Sequence, residues 1–170
     1  MYRIGIGYDL HRFEKGRPLI LGGVRIPYAK GLLGHSDADV LLHSISDALL
    51  GAISKGDIGD HFPDTDKRYK GADSAGILKK VYAMVRGKGY RVDNVDTIII
   101  MQAPKLAGFK KAIRKKVAGL LHIKEDAVSI KAKTNEGLGP IGKNKAAASY
   151  AAVLLKKAVK KHRYKTQRER

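Results

Sequence analysis

Residues 2–11 alternate without a break. Tyr2, Ile4, Ile6, Tyr8 and Leu10 fall on one parity and Arg3, Gly5, Gly7, Asp9 and His11 on the other. A period of two marks a strand with two unlike faces, and no other stretch restricts the fold so tightly. The pattern predicts that the Tyr2/Ile4/Ile6 row is buried. Side chains at i and i+2 point the same way, so Asp9 and His11 should project together from the opposite face. These residues do not read as a signal or transit peptide.

The chain has 170 residues, 44% of them hydrophobic, which predicts one globular domain rather than a disordered chain. It contains no cysteine. Disulfide scaffolds, thiolate zinc ribbons and cysteine nucleophiles are thereby excluded, and a transition metal would need His and carboxylate ligands. No apolar run reaches the roughly 20 residues needed to span a bilayer, so no membrane partner is expected and a cytoplasmic location is. Lys and Arg number 34 against 16 Asp and Glu, a formal charge of +18. Residues 156–170 alone carry +7. A solvated terminus accounts for that tail, with a nucleic-acid arm as the alternative. The same composition suits a heat-adapted protein, and a substrate bearing several phosphates would also favour positive charge.

Further along, Pro18 to Ile26 reads as a hairpin around Gly22-Gly23 and Pro27 to Ser36 as a loop. Val40, Leu41, Ile45, Leu49 and Ile53 recur at helical spacing, with Asp37 as the expected N-cap. Residues 55–70 are rich in Gly, Asp and Pro and read as loop. Ser74 is the expected cap of a second helix ending at Gly87 and Gly89. Val92 to Met101 is a central strand, Phe109 to Leu121 a basic helix and Val128 to Lys133 another strand. A Gly-rich loop spans Asn135 to Gly142. Lys145 to Val159 is ambiguous, since its alanines favour helix while SYAAVLL suits a sheet. The expected architecture is a single α+β domain over residues 1–158, followed by a basic tail, 159–170.

The strongest chemical constellation is Asp9-x-His11 with His43. A carboxylate and two imidazoles on two rigid elements make a catalytic zinc site with an open fourth position. Asp39 and Asp47, four residues either side of His43, are candidates to hold its remaining ring nitrogen. Spacing alone leaves open that these are ordinary exposed polar groups. Asp57, Asp60, Asp64 and Asp66 lie within ten residues; they read as turn chemistry or as a binding loop, and the spacing excludes an EF-hand. Gly137 to Asn144 imitates a P-loop, but Asn144 stands where a magnesium-binding hydroxyl is needed. Gly5-x-Gly7 lacks the third glycine of a dinucleotide fingerprint. His35-Ser36 has no third group to make a serine hydrolase. Lys131 to Glu136 reads as a phosphate grip or as a polar strand end.

Taken in order, RIGIGYDLHRF, LGGVRIPYAKGLLGHSDADVLLHSISDALLGA, GDIGDHFPDTD, KGADS, NVDTIIIMQAPK and KAKTNEGLG resemble the 2-C-methyl-D-erythritol 2,4-cyclodiphosphate synthase family of the non-mevalonate isoprenoid pathway. The resemblance runs from Arg3 to about Leu155. It implies an α+β fold with a mixed sheet, helices on one face, and sheets packed around the axis of a homotrimer. The last element would then be a strand, and active sites would lie between subunits. It also implies conversion of 4-diphosphocytidyl-2-C-methyl-D-erythritol 2-phosphate to the cyclic diphosphate with release of CMP.

Residue by residue, the resemblance places zinc or manganese on Asp9, His11 and His43. It places phosphate contacts on His35 and Ser36, and the methylerythritol and ribose portions at Asp57 and Gly59. A covering loop runs from Phe62 through Asp64 to Asp66. A cytidine pocket falls at Met101, Ala103, Pro104, Lys105, Leu106 and Ala107. Lys133, Thr134, Asn135 and Glu136 would meet the cytidyl phosphates, with His35 and Thr134 catalytic and Glu136 a ligand of magnesium or manganese. Pro140 and Lys143 stand where the family often has Phe and Arg, and Lys143 keeps charge without a bidentate fork. Lys133 replaces a small hydroxyl residue. The alternative is a basic polyanion- or RNA-binding protein, but few aromatics and no basic–aromatic platform mean that nucleic acid is not the expected partner.

Overall fold

The computed structural model describes residues 1–63, 65 and 71–158. The positions assigned to Asp64, Asp66 and the tail 159–170 lie outside the described residues.

The N-terminal alternation forms a long strand, β1 (Tyr2–Lys15). A hairpin of β2 (Leu19–Leu21) and β3 (Val24–Ile26) follows, then β4 (Lys30–Leu32), inside the stretch expected to be loop. Helix α1 (Val40–Ala52) leads to a single-turn α2 (Ile58–His61), also within an expected loop. Next come α3 (Ser74–Gly87), β5 (Tyr90–Ile100), α4 (Lys110–Leu121) and a 3-10 turn at Glu125–Ala127. The chain continues with β6 (Val128–Lys133), a single-turn α5 (Gly139–Gly142) and β7 (Ala146–Lys157).

Five strands form one mixed sheet in the order β4-β1-β7-β5-β6; only β5 and β6 run parallel. That parallel pair is joined through α4, as a crossover requires. The ambiguous last element is therefore a strand, and it lies between β1 and β5. Its alanine content does not make it helical, because full pairing on both edges outweighs intrinsic propensity.

The buried face of β1 is the reverse of the expected one. Tyr2, Ile4 and Ile6 are 55%, 77% and 75% exposed, and Tyr8 and Leu10 are also open. Gly5 and Gly7 are buried instead. A Cβ on Gly5 would stand 1.8 Å from the Ala48 carbonyl oxygen, and one on Gly7 2.0 Å from that of Ser44. The two glycines thus let α1 lie directly on the strand backbone. Alternation correctly marks an apolar face, but among the described residues no helix of this chain covers it. Tyr150 of β7 extends it, with its ring centroid 4.7 Å from that of Tyr8.

Helix α1 is apolar nearly all round, as a helix inside a protein must be. Val40, Leu41, Leu42, Ile45, Leu49 and Leu50 are buried. Ser44 meets Ser149 of β7 in a buried hydroxyl pair at 2.9 Å. The N-cap is Asp39, not Asp37. Its carboxylate accepts the Leu41 and Leu42 amides and also those of Gly22 (2.9 Å) and Gly23 (2.6 Å), fixing the hairpin turn to the helix. Burial pushes the Asp39 carboxyl up to about 6 against these donors, and the Asp37 charge adds to the rise. Helix α3 is capped by Asp73, not by Ser74. Among the described residues no helix is long and apolar enough to cross a membrane.

Candidate metal centre and active site

Asp9 and His11 lie on the α1-facing side of β1, two residues apart as the alternation predicts. His43 comes from the first turns of α1. Because that helix rests on Gly5 and Gly7, its side chain reaches the same point. Asp9 Oδ2 is 2.9 Å from His11 Nε2 and 2.9 Å from His43 Nδ1, and the two ring nitrogens are 3.2 Å apart. Tetrahedral ligands at bond lengths near 2.0 Å stand about 3.3 Å from one another. The three donor atoms are thus already grouped at nearly that spacing.

The outer hydrogen bonds show what these atoms offer. His11 Nδ1 lies 2.9 Å from the Leu33 carbonyl, which can only accept, so Nδ1 carries the proton and Nε2 presents a lone pair. His43 Nε2 lies 2.8 Å from Ser74 Oγ, which donates its own proton to Asp37. Three electron-rich atoms therefore face one another and call for a cation between them. These residues fit a divalent metal. Without a metal a proton can take the cation's place: burial opposes the Asp9 charge, but hydrogen bonds from the His11 and His43 rings, once protonated on the atoms that face it, outweigh burial and hold the carboxyl well below its usual range. Burial likewise opposes protonation of His43, yet the Asp9 hydrogen bond and charge raise its pKa above the usual value.

Neither candidate partner on α1 touches the far side of His43. Asp39 is committed to its four backbone amides, and Asp47 accepts the Ile58 amide at 2.8 Å, tying α2 to α1. Ser74 takes that place from another helix. Sequence spacing missed it because the contact depends on α3 packing against α1.

Beside the triad is a cavity of about 260 Å³ lined by His11, Gly34, His35, Ser36, His43 and Phe62, with Ile58 and Ile77 closing it. His35 and Ser36 are thus brought to the metal centre. Arg17 donates to the Ser36 carbonyl at 2.8 Å and helps to place it. Asp57 and Gly59 flank Ile58 of the lining. Asp57 caps α2 in a reciprocal box with Asp60, while both remain exposed.

A second cavity of about 250 Å³ gathers Met101, Pro104, Lys105, Leu106, Ala107, Lys133 and Thr134, with Gln102 and Ala132 from the same two stretches and Lys110, to which the sequence does not point. Ala103 belongs to the same turn. Met101 donates its amide to the Lys133 carbonyl at 3.0 Å, joining the two segments. Beyond them, the Thr134 hydroxyl donates to Glu136, which adopts a left-handed backbone conformation. Asn135 closes its own turn onto the Leu138 carbonyl. Lys143, at the end of α5, lines neither cavity. The two cavities share no lining residue.

A mixed-sheet α+β domain presenting an Asp/His/His donor set at a cavity mouth is a metal-site enzyme scaffold. The chain belongs to the YgbB family, whose model matches residues 2–156. It is similar to the 2-C-methyl-D-erythritol 2,4-cyclodiphosphate synthase of Bacillus cytotoxicus, with 56% identity over 157 residues, covering 92% of this chain and 99% of that protein. Among solved structures it is similar to the bifunctional IspDF from Campylobacter jejuni (TM-score 0.89, 43% identity), covering 92% of this chain and spanning 42% of that longer one. It is also similar to a 2C-methyl-D-erythritol-2,4-cyclodiphosphate synthase in its CDP-bound form (TM-score 0.84, 38% identity, 91% and 100% covered).

Proposed function

We propose that this chain converts 4-diphosphocytidyl-2-C-methyl-D-erythritol 2-phosphate to 2-C-methyl-D-erythritol 2,4-cyclodiphosphate and CMP. The observation that carries the proposal is the meeting of Asp9, His11 and His43 beside the His35/Ser36 cavity. It occurs in a chain 56% identical over nearly its full length to a protein of that name.

In this reaction an oxygen of the 2-phosphate forms a bond to the β-phosphorus. The bond from that phosphorus to the bridging oxygen breaks, and the electron pair leaves with CMP. The attacking phosphate is largely ionised near neutral pH, so no general base is needed. The work left to the protein is to hold two anions of one molecule together and to offset their charge. His35 and Ser36 face the reacting phosphates from the first cavity. The Met101–Ala107 turn holds the cytidine. Lys105 and Lys133 offset the cytidyl phosphates, with Lys143 at the margin. Thr134 supplies a hydroxyl there, Glu136 a carboxylate and Asn135 a polar contact. Asp57 and Gly59 hold the sugar portions, and Phe62, which lines the first cavity, covers them. Asp9, His11 and His43 would hold zinc or manganese, and Glu136 would share magnesium or manganese with the substrate. When bound, these metals supply positive charge that polarises the phosphoryl oxygens.

The active unit is a homotrimer. Its support is the uncovered row Tyr2, Ile4, Ile6, Tyr8 and Leu10, too apolar to leave in water. That the metal group and the Met101–Thr134 group line different cavities fits a site completed by the neighbouring copy. The test is CMP release from the cytidyl substrate with zinc and magnesium present. The proposal expects turnover by the wild-type chain and its loss in His11→Ala; no CMP from either would reject it.

A further inference from the structure

We infer that Ser74, backed by Asp37, is a positioning residue for the metal centre. It locks His43 into the tautomer whose Nδ1 faces Asp9 and His11. The inference rests on the metal reading of those three residues given above.

Ser74 Oγ lies 2.8 Å from His43 Nε2 and donates its single proton to Asp37. A carboxylate can only accept. The serine oxygen can therefore only accept from His43, which places the imidazole proton on Nε2 and leaves Nδ1 bare. Ser36 Oγ accepts the Ala38 amide at 3.1 Å and lies 3.2 Å from the same Nε2, where it can share that proton as a weaker second acceptor. Asp37 is itself held, since its other oxygen accepts the Ser74 amide at 3.2 Å and its own amide donates to the Ala72 carbonyl at 3.2 Å. The Gly71 amide donates to the His35 carbonyl at 2.8 Å. Residues 71–74 are thus bonded rung by rung to residues 35–37, from which the phosphate-facing side chains project.

Two further observations separate this role from helix building. Asp73 caps α3 through the Ala75 amide at 2.9 Å, so the Ser74 hydroxyl is not the cap. Ser74 is also only 1% exposed, so its hydroxyl proton is not spent on water. A hydroxyl that a buried imidazole and a carboxylate share in this way fixes ring orientation as well as tautomer.

The test measures zinc affinity of wild type, Ser74→Ala and Asp37→Asn by competition with a chromophoric chelator, with unfolding of the metal-free proteins as the fold control. Zinc binding should weaken about 10- to 100-fold in Ser74→Ala and by less in Asp37→Asn. In ¹⁵N spectra of the zinc-loaded wild type, His43 should show coordination through Nδ1 and a slowly exchanging Nε2 proton that Ser74→Ala loses. A folded Ser74→Ala binding zinc within about twofold of wild type, with that proton unchanged, overturns the inference. If Ser74→Ala does not fold, the wild-type spectrum decides, and coordination through Nε2 overturns it. Failure of wild type to bind zinc better than His11→Ala would instead remove the metal reading itself.

Discussion

Placing one methyl group at Gly7 should damage both the fold and the metal site, for the same geometric reason. The added Cβ would stand 2.0 Å from the Ser44 carbonyl oxygen, 2.7 Å from the Ala48 nitrogen and 3.0 Å from Asp47 Cβ. Non-bonded heavy atoms settle at about 3.5 Å, so α1 would have to withdraw from β1 by well over ~1 Å. Its other side is packed against α3 and the β2–β3 hairpin, and the obstructing atoms are backbone, which no rotamer change can clear. Overpacking typically costs about 1–3 kcal/mol, and a backbone clash belongs at the top of that range or above it. His43 rides on α1 while Asp9 and His11 ride on β1. Metal–ligand distances tolerate only about 0.2 Å, so the same withdrawal should weaken zinc binding at least about 100-fold, near 2.8 kcal/mol. Gly5→Ala meets Ala48 and Ala52, about a turn farther from His43, and should cost similar stability with a smaller zinc loss. Gly76→Ala, with open space around it inside α3, should instead stabilise by about 0.5–1 kcal/mol. Denaturant unfolding at one protein concentration, paired with chelator competition, reads all three. Gly7→Ala unfolding within about 0.5 kcal/mol of wild type with unchanged zinc affinity would refute the close seating of α1 on β1.

Ile6→Asp places a charge on the uncovered apolar row and should leave each chain folded; if that row is the seam of the proposed trimer, the variant sediments as a monomer where wild type sediments as a trimer, and unchanged sedimentation would refute that role. Asp39→Ala strips an acceptor from four backbone amides and should destabilise by about 3 kcal/mol in chemical denaturation. For pH, the Asp9 carboxyl lies below its ordinary 3.8, so its contribution is present above that value and fades as the pH falls through the lowered one. His43 lies above its ordinary 6.5, so its contribution is full below 6.5 and is lost as the pH rises through the raised value. The metal-free chain should draw most from this pair between pH 3.8 and 6.5. Zinc affinity should show the opposite trend and climb with pH, because proton and metal compete for one lone pair; titrations across this range would show both.

The parity of β1 and the joint projection of Asp9 and His11 were legible in the sequence, because both follow from strand geometry alone. Which face is buried was not. Alternation shows that an apolar row needs a neighbour, but not whether that neighbour belongs to the same chain. Glycine, moreover, carries no hydropathy signal for the close approach that Gly5 and Gly7 permit. The available hint was a glycine pair at i, i+2 together with small Ser44 and Ala48 on the following helix. Asp37 and Asp39 are equally good caps by composition, and only the fold divides them, sending Asp39 to the α1 amides and Asp37 to Ser74. Spacing is readable only within one helix, so it points to Asp39 and Asp47 as partners of His43, whereas Ser74 is distant in sequence. The alanines of β7 suggested helix because propensity does not register pairing on both edges. The Met101–Thr134 cavity is legible only through family resemblance, and Lys110 joins it only through the turn that leads into α4.

The most direct test of the central claim is to run the reaction in ¹⁸O-labelled water and follow it by ³¹P NMR and mass spectrometry. Intramolecular attack by the 2-phosphate predicts one cyclic diphosphate for each CMP, with no solvent oxygen in either product. Label in the products, or CMP accompanied by an open-chain bisphosphate, would mean that water is the nucleophile and would contradict the account.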